Sequence, residues 1–375
     1  MPSPLKYQIG LSLFPRIGAI NARRLVAYLG SVNAVFEASK NDLKEIPGIG
    51  KSLIKTLVEQ RDVVLKHAEK EIDFITKYKL KSYFYLDKEY PRRLAQCEDA
   101  PVIMYMKGDV DLNFQRIISV VGTRNATENG RELTNELIEG VAKCGIEVMI
   151  VSGLAFGIDI IAHKAALKTG LPTLGVVGHG LDKMYPATHA AFAKEMLANK
   201  GGLLSDFPSE SKIDPGNFLR RNRIIAGLAD CTIVVESAEK GGALVTADIA
   251  NSYNRDVFAY PGRPSDQYSK GCNGLIKNNK AALIESADDL IAFMGWEVNK
   301  TPVQQPLLIE LSDDEKMIIK VLQQNEISTT DLISQKVNLP VQRINSILLG
   351  LEFQGILKSL PGNRFKMIVN IGLST

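Results

Sequence analysis

Residues Arg116–Arg124 read RIISVVGTR, and this stretch decides the fold. Its apolar part is short, rich in β-branched residues and ended by a glycine, which predicts a buried strand. A helical pattern follows from about Glu128 to Lys143. A second apolar run, Ile146 to Val151, then ends at Ser152-Gly153 and leads into another helical pattern. Strand, glycine turn and helix in repetition predict an α/β fold with a doubly wound, Rossmann-like parallel sheet.

The same unit recurs along the central part of the chain, so we expect a sheet of about seven or more strands. Further strands are predicted at Val102–Met106, Thr173–Val177, Gly202–Ser205, Thr232–Glu236, Val257–Tyr260 and Ala281–Ile284. Helices between them are predicted at His189–Ala198, Asn217–Gly227 and Ala243–Ser252.

Length and composition predict a globular protein of several domains. The chain has 375 residues, of which 45% are hydrophobic and 23% charged. No apolar run approaches the roughly 20 residues of a membrane span, and the start of the sequence does not resemble a signal peptide. Its four cysteines are far apart and form no CxxC pair, which favours a reducing cytoplasm and predicts no metal site. The net charge of +3 is small, so an anionic partner has to be held by a local patch.

The first part of the chain, residues 1–78, is predicted to be helical and contains an internal repeat. Pro15-Arg16-Ile17-Gly18 recurs as Pro47-Gly48-Ile49-Gly50, each before an amphipathic helix. This pattern resembles the helix-hairpin-helix element (a SAM-like helical domain), whose turn offers backbone amides to a nucleic-acid phosphate. A compact helical bundle without any such contact fits the pattern equally well.

Residues suited to bind phosphate follow the predicted strands. They lie at the sheet edge toward which the backbone amides at the helix N-termini point. Arginine suits phosphate because its planar fork can bind two oxygens, and an aromatic side chain beside it can stack on a base. The candidates are Gly122, Thr123, Arg124, Ser152, Gly153, Phe218, Arg220, Arg221, Asn222, Arg223, Lys240, Gly241 and Gly242.

Each candidate also has a purely structural explanation. We expect at least one of the three clustered arginines to pair with Asp230 or Glu236 and hold its helix in place. Phe218 could equally belong to the core, and the glycines at 241 and 242 could simply form a tight turn.

The sequence contains no catalytic constellation. No G-x-G-x-x-G follows the first strand, so a nicotinamide or flavin fingerprint is missing and no cofactor is predicted. His163 and His179 have no serine or cysteine at nucleophile-elbow spacing. Asp159, Asp182 and Asp206 are single carboxylates at loop starts, which is more typical of helix caps than of acid–base pairs.

Taken together, the motifs closely resemble the DNA-processing protein A family (DprA, also called Smf). The shared motifs, in the family's order, are GTR at 122–124, SGLAFGID at 152–159, RNRIIAGL at 221–228, KGGALVTA at 240–247, PG at 261–262 and GCN at 271–273. One departure is Gly242, where the family commonly has serine.

The resemblance implies a bacterial, cytoplasmic protein that binds single-stranded DNA without catalysis. It further implies that the protein protects incoming strands during natural transformation and loads the RecA recombinase onto them. A homodimer, formed through about Asn273 to Phe293, is implied as well. The two phosphate-binding sites of such a dimer could bind one strand together, which would raise the avidity of the dimer for that strand.

Two other functions are open at this stage. A nucleotide enzyme such as a phosphoribohydrolase shares the Rossmann-like fold and resembles the chain around its Gly-Gly turn. Those enzymes carry a catalytic glutamate shortly afterwards, where this chain has Thr246 and Asp248. An adaptor that binds only proteins is the other possibility, but the arginine cluster argues against it.

The end of the chain predicts a separate winged-helix domain, residues 307–375, after a polar linker at 299–306. The Rossmann-like domain would then span residues 79–298. Ser312–Glu315 is a capping box, further helices are expected from Ser328 and Val341, and a Pro-Gly turn within 355–367 predicts a hairpin. The candidate contact residues are Gln342, Arg343, Asn345, Lys358, Arg364 and Lys366. They suit either duplex DNA or a protein partner, and their few positive charges favour a protein.

Overall fold

The chain folds into two compact units, Met1–Asn299 and Lys300–Thr375. The structure, a computed structural model, describes residues 4–296, 311–325, 327–354, 356–360 and 362–367. The predicted linker at 299–306 lies outside the described residues, and the domain boundaries stay predictions.

The first unit begins with six helices whose apolar side chains pack together. They are α1 (Pro4–Leu13), α2 (Ala19–Leu29), α3 (Val32–Glu37), α4 (Lys40–Lys44), α5 (Lys51–Glu59) and α6 (Arg61–Tyr78). The predicted repeat is visible in the backbone, because Gly18 and Gly50 precede α2 and α5 with nearly the same angles, φ −78° and ψ 176° against φ −79° and ψ 166°. Each repeat is therefore a tight turn that opens an amphipathic helix.

A nine-stranded sheet forms the centre of the same unit. Its strands are β1 (Lys81–Phe84), β2 (Ile103–Gly108), β3 (Ile117–Val121), β4 (Met149–Ser152), β5 (Thr173–Val176), β6 (Gly201–Ser205), β7 (Cys231–Val234), β8 (Asp256–Ala259) and β9 (Ala282–Leu283). They lie in the order β1-β2-β6-β5-β4-β3-β7-β8-β9. Strands β3 to β9 pair in parallel, whereas β1 and β2 pair antiparallel at one edge.

The order in which the chain adds strands to the sheet switches sides at β3, although the strands stay parallel. From β3 the chain moves outward through β4 and β5 to β6, and it then returns to β7 on the other side of β3. In open α/β sheets, the crevice beyond the carboxyl ends of the strands at such a switch is where ligands bind. The strand order therefore marks the loops after β3 and β7 as the place to look for a site.

Helices cover both faces of the sheet, which confirms the doubly wound α/β fold. They are α7 (Arg92–Ala95), α8 (Glu128–Lys143), α9 (Ile158–Lys168), α10 (Ala190–Ala198), α11 (Pro215–Leu228), α12 (Gly242–Ser252), α13 (Lys270–Lys277) and α14 (Ala287–Phe293). Helices α8, α9 and α14 share one hydrophobic core, and α11 and α12 share another.

The helical part and the sheet belong to one body because their cores are continuous. Buried side chains of β1 and β2, among them Phe84, Ile103 and Tyr105, pack with the apolar residues of α1 to α6. On the polar side, Arg23 of α2 donates to the carbonyls of Cys97 and Ala100 at 3.3 and 3.2 Å.

Strand β4, which follows β3 and its helix, is shorter than the sequence predicts. It covers Met149–Ser152 rather than Ile146 to Val151. Ile146 and Val148 are nevertheless buried in the core beside it. A buried position favours an apolar residue whether or not its backbone pairs with a neighbouring strand. The apolar run is therefore longer than the strand. Among the residues that the structure describes, none of the helices is long and apolar enough to span a membrane.

The second unit has the predicted three helices and hairpin. Within its described residues the elements are α15 (Asp313–Gln324), β10 (Ser328–Thr329), α16 (Thr330–Val337), α17 (Val341–Phe353), β11 (Leu357–Leu360) and β12 (Arg364–Met367). The capping box at Ser312 and Glu315 is present as predicted. The short strand β10 adds to the hairpin in the order β10-β12-β11, which completes a winged-helix arrangement.

Candidate functional site

A groove of about 290 Å³ lies at the carboxyl ends of β3 and β7, where the strand order switches sides. We call it the sheet-edge groove. Its lining residues are Val121, Gly122, Thr123, Arg124, Ala155, Asp159, Phe218, Leu219, Arg221, Asn222, Ile225, Ser237, Ala238, Lys240, Gly241, Gly242, Ala243 and Thr246.

Three loops meet here through their backbones. The Thr123 amide donates to the carbonyl of Glu236 at 2.8 Å, and the Ile158 amide donates to the carbonyl of Thr123 at 3.1 Å. Gly157 has a φ of +75°, and a Cβ there would lie 2.1 Å from the Thr123 carbonyl oxygen. Only glycine allows this approach, so the loops after β3, β4 and β7 hold one another in place.

The floor of the groove, which we define as Arg221 with Asp159, is a buried pair of opposite charges around Gly153. Arg221 is 4% exposed and donates to the carbonyls of Gly153, at 2.7 Å, and Val176. Asp159 is 8% exposed and accepts from the amides of Gly153 and Ala155 at 3.1 and 3.3 Å. Arg221 thus ties the loop after β4 and the end of β5 to α11, while Asp159 holds the same loop at the start of α9.

Burial disfavours the charged forms of both floor residues, whereas the attraction between their opposite charges favours them. Burial raises the pKa of Asp159, and the Arg221 guanidinium counteracts that rise. Burial lowers the pKa of Arg221 to about 10, so its guanidinium is still charged at neutral pH. His163, also fully buried, has its pKa lowered to about 3 by burial and then by the charge of Arg221.

The rim of the groove, which we define as Arg124 and Lys240, carries cations of a different kind. Both side chains are exposed, and neither has a hydrogen bond or ion pair within the described part of the chain. Arg124 lies 5.9 Å from the ring centroid of half-buried Phe218, whose ring also lies 5.4 Å from that of Tyr185. Beside Lys240, helix α12 starts at Gly242 with Gly241 as its N-cap residue and has no side-chain cap, which leaves amides able to bind an anion.

The clustered arginines on α11 separate into different environments. Arg221 belongs to the floor. Arg223 is half-buried, pairs with Asp206 at 2.5 Å and donates to the carbonyl of Asp99. Arg220 is exposed, does not line the groove, and lies 5.5 Å from the ring centroid of Phe207.

The predicted structural arginine is present, since Arg221 and Arg223 have partners inside the protein, but the predicted partners, Asp230 and Glu236, are wrong. Asp230 is bound by Arg93, with Nε to Oδ1 at 2.7 Å, and Glu236 accepts from the amide of Thr127 at 3.0 Å. The physical reason is that other groups already bind Asp230 and Glu236, while Asp206 and backbone carbonyls lie within hydrogen-bonding distance of the two arginines.

Most of the predicted site residues meet in the groove, and four do not line it. The four are Ser152, Gly153, Arg220 and Arg223. Ser152 is buried and its hydroxyl donates to the carbonyl of Val120 at 2.6 Å. Gly153 lies below the surface against the floor, where a Cβ would come within 2.6 Å of Asp159 Oδ2.

Sequence reasoning missed the role of Asp159 and the contribution of Ser237 and Ala238. The sequence favours a helix cap for Asp159, yet its carboxylate accepts hydrogen bonds from two amides of the preceding loop and faces an arginine 62 positions further along the chain. Ser237 and Ala238 could have been found from their place directly after a predicted strand of the parallel sheet.

The groove offers cations, amides and an aromatic face, and little for acid–base or metal chemistry. Its carboxylate, Asp159, is already bound by two amides. Asp248 is exposed outside the groove and pairs with Lys280 at 2.8 Å, while Thr246 lines the groove. Across the described ranges, no three His, Cys, Asp or Glu side chains are arranged to hold a metal ion. The arrangement can bind an anion that also presents a flat apolar surface.

The winged-helix unit presents a different surface. Arg343, one of its candidate contact residues, pairs with Asp314 at 2.5 Å. Lys358 is exposed on β11, and so are large apolar residues on α17, where Phe353 is 85% exposed.

Each of the two units contains a segment that matches a known protein family. A family model described as DNA recombination-mediator protein A matches residues 81–295, and one described as DprA winged helix domain matches residues 302–363. Protein Smf of Synechocystis sp. is 31% identical over 401 residues, covering 96% of this chain and 98% of its own length. DNA processing protein DprA of Streptococcus pneumoniae is 40% identical over 215 residues, covering 57% of this chain and 74% of its own.

Two solved structures are similar as well. The X-ray structure of DprA from Streptococcus pneumoniae superimposes with a TM-score of 0.66 at 33% identity, covering 76% of this chain and 95% of that one. A structure of DNA processing protein A from Helicobacter pylori, which describes the single-stranded DNA binding mode of that protein, has a TM-score of 0.52 at 28% identity. It covers 58% of this chain and 96% of its own.

Proposed function

This chain belongs to the family of DNA recombination-mediator protein A, and from that premise we propose that it binds single-stranded DNA without catalysing a reaction on it. The observation that carries the proposal is the rim of the sheet-edge groove, where exposed Arg124 and Lys240 have no ion-pair partner in the described chain. The Helicobacter pylori relative, whose structure concerns single-stranded DNA, supports the same ligand.

We assign the phosphate contacts to the rim and to the backbone beside it. Arg124 and Lys240 would bind phosphate oxygens, together with the Thr123 hydroxyl and the free amides around Gly122, Gly241 and Gly242. Phe218 has a half-exposed ring next to Arg124, so a base can stack on it while the guanidinium reaches the neighbouring phosphate. Asn222 lines the same groove and offers an amide to a base edge.

The floor has a different task in this proposal. Arg221 and Asp159 hold the groove's loops, and Arg223 holds α11 through Asp206. Ser152 and Gly153 then contribute by shaping the loop, since neither lines the groove. The floor makes the rim rigid, so its cations are already positioned when a strand arrives.

A catalytic role has little support in the groove. The neighbourhood in which a phosphoribohydrolase would carry its glutamate has Thr246 and Asp248, and Asp248 is paired with Lys280 outside the groove. Release of free base from a nucleoside monophosphate would be the result that revives the enzyme hypothesis.

In the cell we propose the role that the family description names, mediation of recombination. This includes protection of incoming strands during natural transformation and the loading of RecA onto them in the cytoplasm. For the winged helix we favour a protein partner over duplex DNA, because Arg343 is neutralised by Asp314 and Phe353 is exposed.

We also propose a homodimer formed through about Asn273 to Phe293. This segment contains the edge strand β9 and the exposed apolar side chains of Leu283 and Phe293, at 42% and 62% exposure. An open strand edge and exposed apolar groups favour pairing with a second copy. Two grooves on one strand would bind more tightly than one by effective concentration.

The first test is the affinity of the full chain for single-stranded DNA across a salt series, for wild type and Arg124→Ala. The wild type should show a linear loss of log affinity with log salt, at a slope of about −0.7 for each phosphate contacted. Arg124→Ala should weaken binding about tenfold and flatten that slope by about 0.7, since one contact is lost.

The control is Arg131→Ala, an exposed arginine on α8 that lies outside the groove and pairs with Glu128 at 3.8 Å. It should leave both affinity and slope unchanged. The proposal fails if the wild type shows no salt-dependent affinity. If Arg124→Ala binds like wild type, the groove is not where the strand lies.

A further inference from the structure

A second cavity, of about 610 Å³, lies between the first helical hairpin and α11. We call it the hairpin cavity. It is lined by Gly18, Ala19, Ile20, Asn21, Asp99, Leu219, Arg220, Arg223 and Ile249. Leu219 also lines the sheet-edge groove, so the two concavities share a wall.

The cavity contains one available cation. Arg220 is exposed, and within the described residues its guanidinium has no hydrogen bond or ion pair, only the ring of Phe207 at 5.5 Å. Arg223, on the same side, is already bound to Asp206 and to the Asp99 carbonyl. Arg220 is therefore the group on this wall that can bind a phosphate.

The remaining walls are mainly apolar. Ile20 is 42% exposed and Leu219 is 52% exposed, and Ile249 of α12 lies with them. The carboxylate that lines the cavity, Asp99, accepts a hydrogen bond from the hydroxyl of Tyr253. Apolar side chains that face one cation suit a nucleotide. Its base can pack on the apolar side chains while its phosphate contacts the cation.

The two helical hairpins differ at this point. The first one supplies Gly18 and the start of α2 to the cavity, whereas the second contributes no residue to it. Gly50, the counterpart of Gly18 in the second hairpin, lines neither this cavity nor the sheet-edge groove. The repeat is symmetric in sequence, but its first copy faces α11 and the shared wall.

We propose that a single strand bound in the sheet-edge groove continues over Leu219 into the hairpin cavity, where a base packs against Ile20 and Leu219 and its phosphate binds Arg220. This rests on the proposed function of the groove. The N-terminal helical part is then a second section of the DNA site, and it extends the length of strand that one protomer binds.

The test compares Ile20→Glu with Val63→Glu in the full chain. Both are β-branched residues in the first turn of a helix, at 42% and 45% exposure, and only Ile20 lines the cavity. The probes are oligothymidylates of increasing length. A carboxylate at position 20 repels phosphate, so Ile20→Glu should weaken long oligomers by about three- to tenfold and leave the shortest ones that bind unchanged.

Val63→Glu should bind every length as wild type does. Arg220→Gln, on the opposite wall, should show the same length-dependent loss as Ile20→Glu, and urea unfolding of each variant shows whether it is folded. The inference is overturned if folded Ile20→Glu and Arg220→Gln bind long oligomers as wild type does while Arg124→Ala is weakened at all lengths. If the wild type binds no oligomer, it is the proposed function of the groove that fails.

Discussion

The floor and the rim of the sheet-edge groove are both cationic, yet they differ in what their cations contact. Arg221 of the floor is buried and donates to two backbone carbonyls, with Asp159 close by. Arg124 and Lys240 of the rim are exposed and, in the described residues, unpaired. A cation whose hydrogen bonds are satisfied inside the protein stabilises the fold, whereas a cation without partners is available to a ligand.

The difference teaches how a site can be both rigid and open. A buried guanidinium is costly unless its charge and donors are satisfied, so the floor has to be complete in the free protein. The rim pays no such penalty because water solvates it until an anion arrives. Substitutions in the floor should therefore change stability, and substitutions in the rim should change affinity.

The largest effect is expected for Arg221→Met. Removing the guanidinium leaves Asp159 buried without its counter-charge and frees the carbonyls of Gly153 and Val176, so the free energy of unfolding should fall by about 3–5 kcal/mol. Arg220→Met, one position earlier on the exposed side, should change it by no more than about 0.5 kcal/mol. Urea unfolding of the two variants measures both values. Equal stabilities of the two variants would contradict the structural role of Arg221 in the floor.

A smaller effect is expected from acid, through buried His163 beneath the floor. Its pKa is lowered from 6.5 to about 3, so between these values the unfolded chain binds the proton and the folded one does not. Stability is thus unaffected above about pH 6.5 and is lost as the pH falls toward 3. The loss approaches 1.4 kcal/mol per pH unit, or about 2 kcal/mol between pH 6.5 and 5.

His163→Gln tests this, because glutamine does not titrate and can still bond to the Thr173 hydroxyl, which His163 contacts at 2.6 Å. Urea unfolding across pH 7.5 to 5 should show a shallower decline for the variant. A residual slope is expected from His179, whose pKa burial also lowers. Identical slopes for variant and wild type would show that His163 is not protonated on unfolding in this range.

The smallest effect is expected at the rim, for Gly242→Ser. A Cβ at Gly242 would meet no atom within 4 Å, so stability should change by less than about 0.5 kcal/mol. The added hydroxyl lies at the uncapped start of α12, where it can donate to a phosphate and tighten single-strand binding about two- to fivefold. Gly50→Ser adds a hydroxyl at the start of α5, outside both cavities, and should leave the affinity unchanged. An equal gain from both variants would rule out a contact at the rim.

Much of the fold could be predicted from the sequence. The run at 117–121 is a strand, the helix from Glu128 to Lys143 has the predicted bounds, and both Pro-x-Ile-Gly turns open a helix. These features depend on neighbours a few positions away, so local patterns contain them. The antiparallel pairing of β2 with β6 was not predicted, because it joins segments about a hundred residues apart.

The candidate site was predictable in composition and less so in detail. The glycine and arginine loops after the strands do meet, since parallel strands end at one edge of a sheet. The pattern predicts Ser152 and Gly153 at the surface with these loops, yet both residues are buried beneath it. The loop after β4 is drawn inward by its bonds to Asp159 and Arg221, which no local pattern reveals.

The sequence by itself determined the α/β architecture, the repeated hairpins and the presence of three arginines within four positions of α11. Only the tertiary structure decided that Arg221 is internal, that Arg223 is paired and that the exposed Arg220 has no hydrogen bond or ion pair among the described residues. Successive helical residues point about 100° apart, so neighbours on one helix face different surroundings. What lies there comes from distant segments: the carbonyls that bind Arg221 are 68 and 45 positions away along the chain.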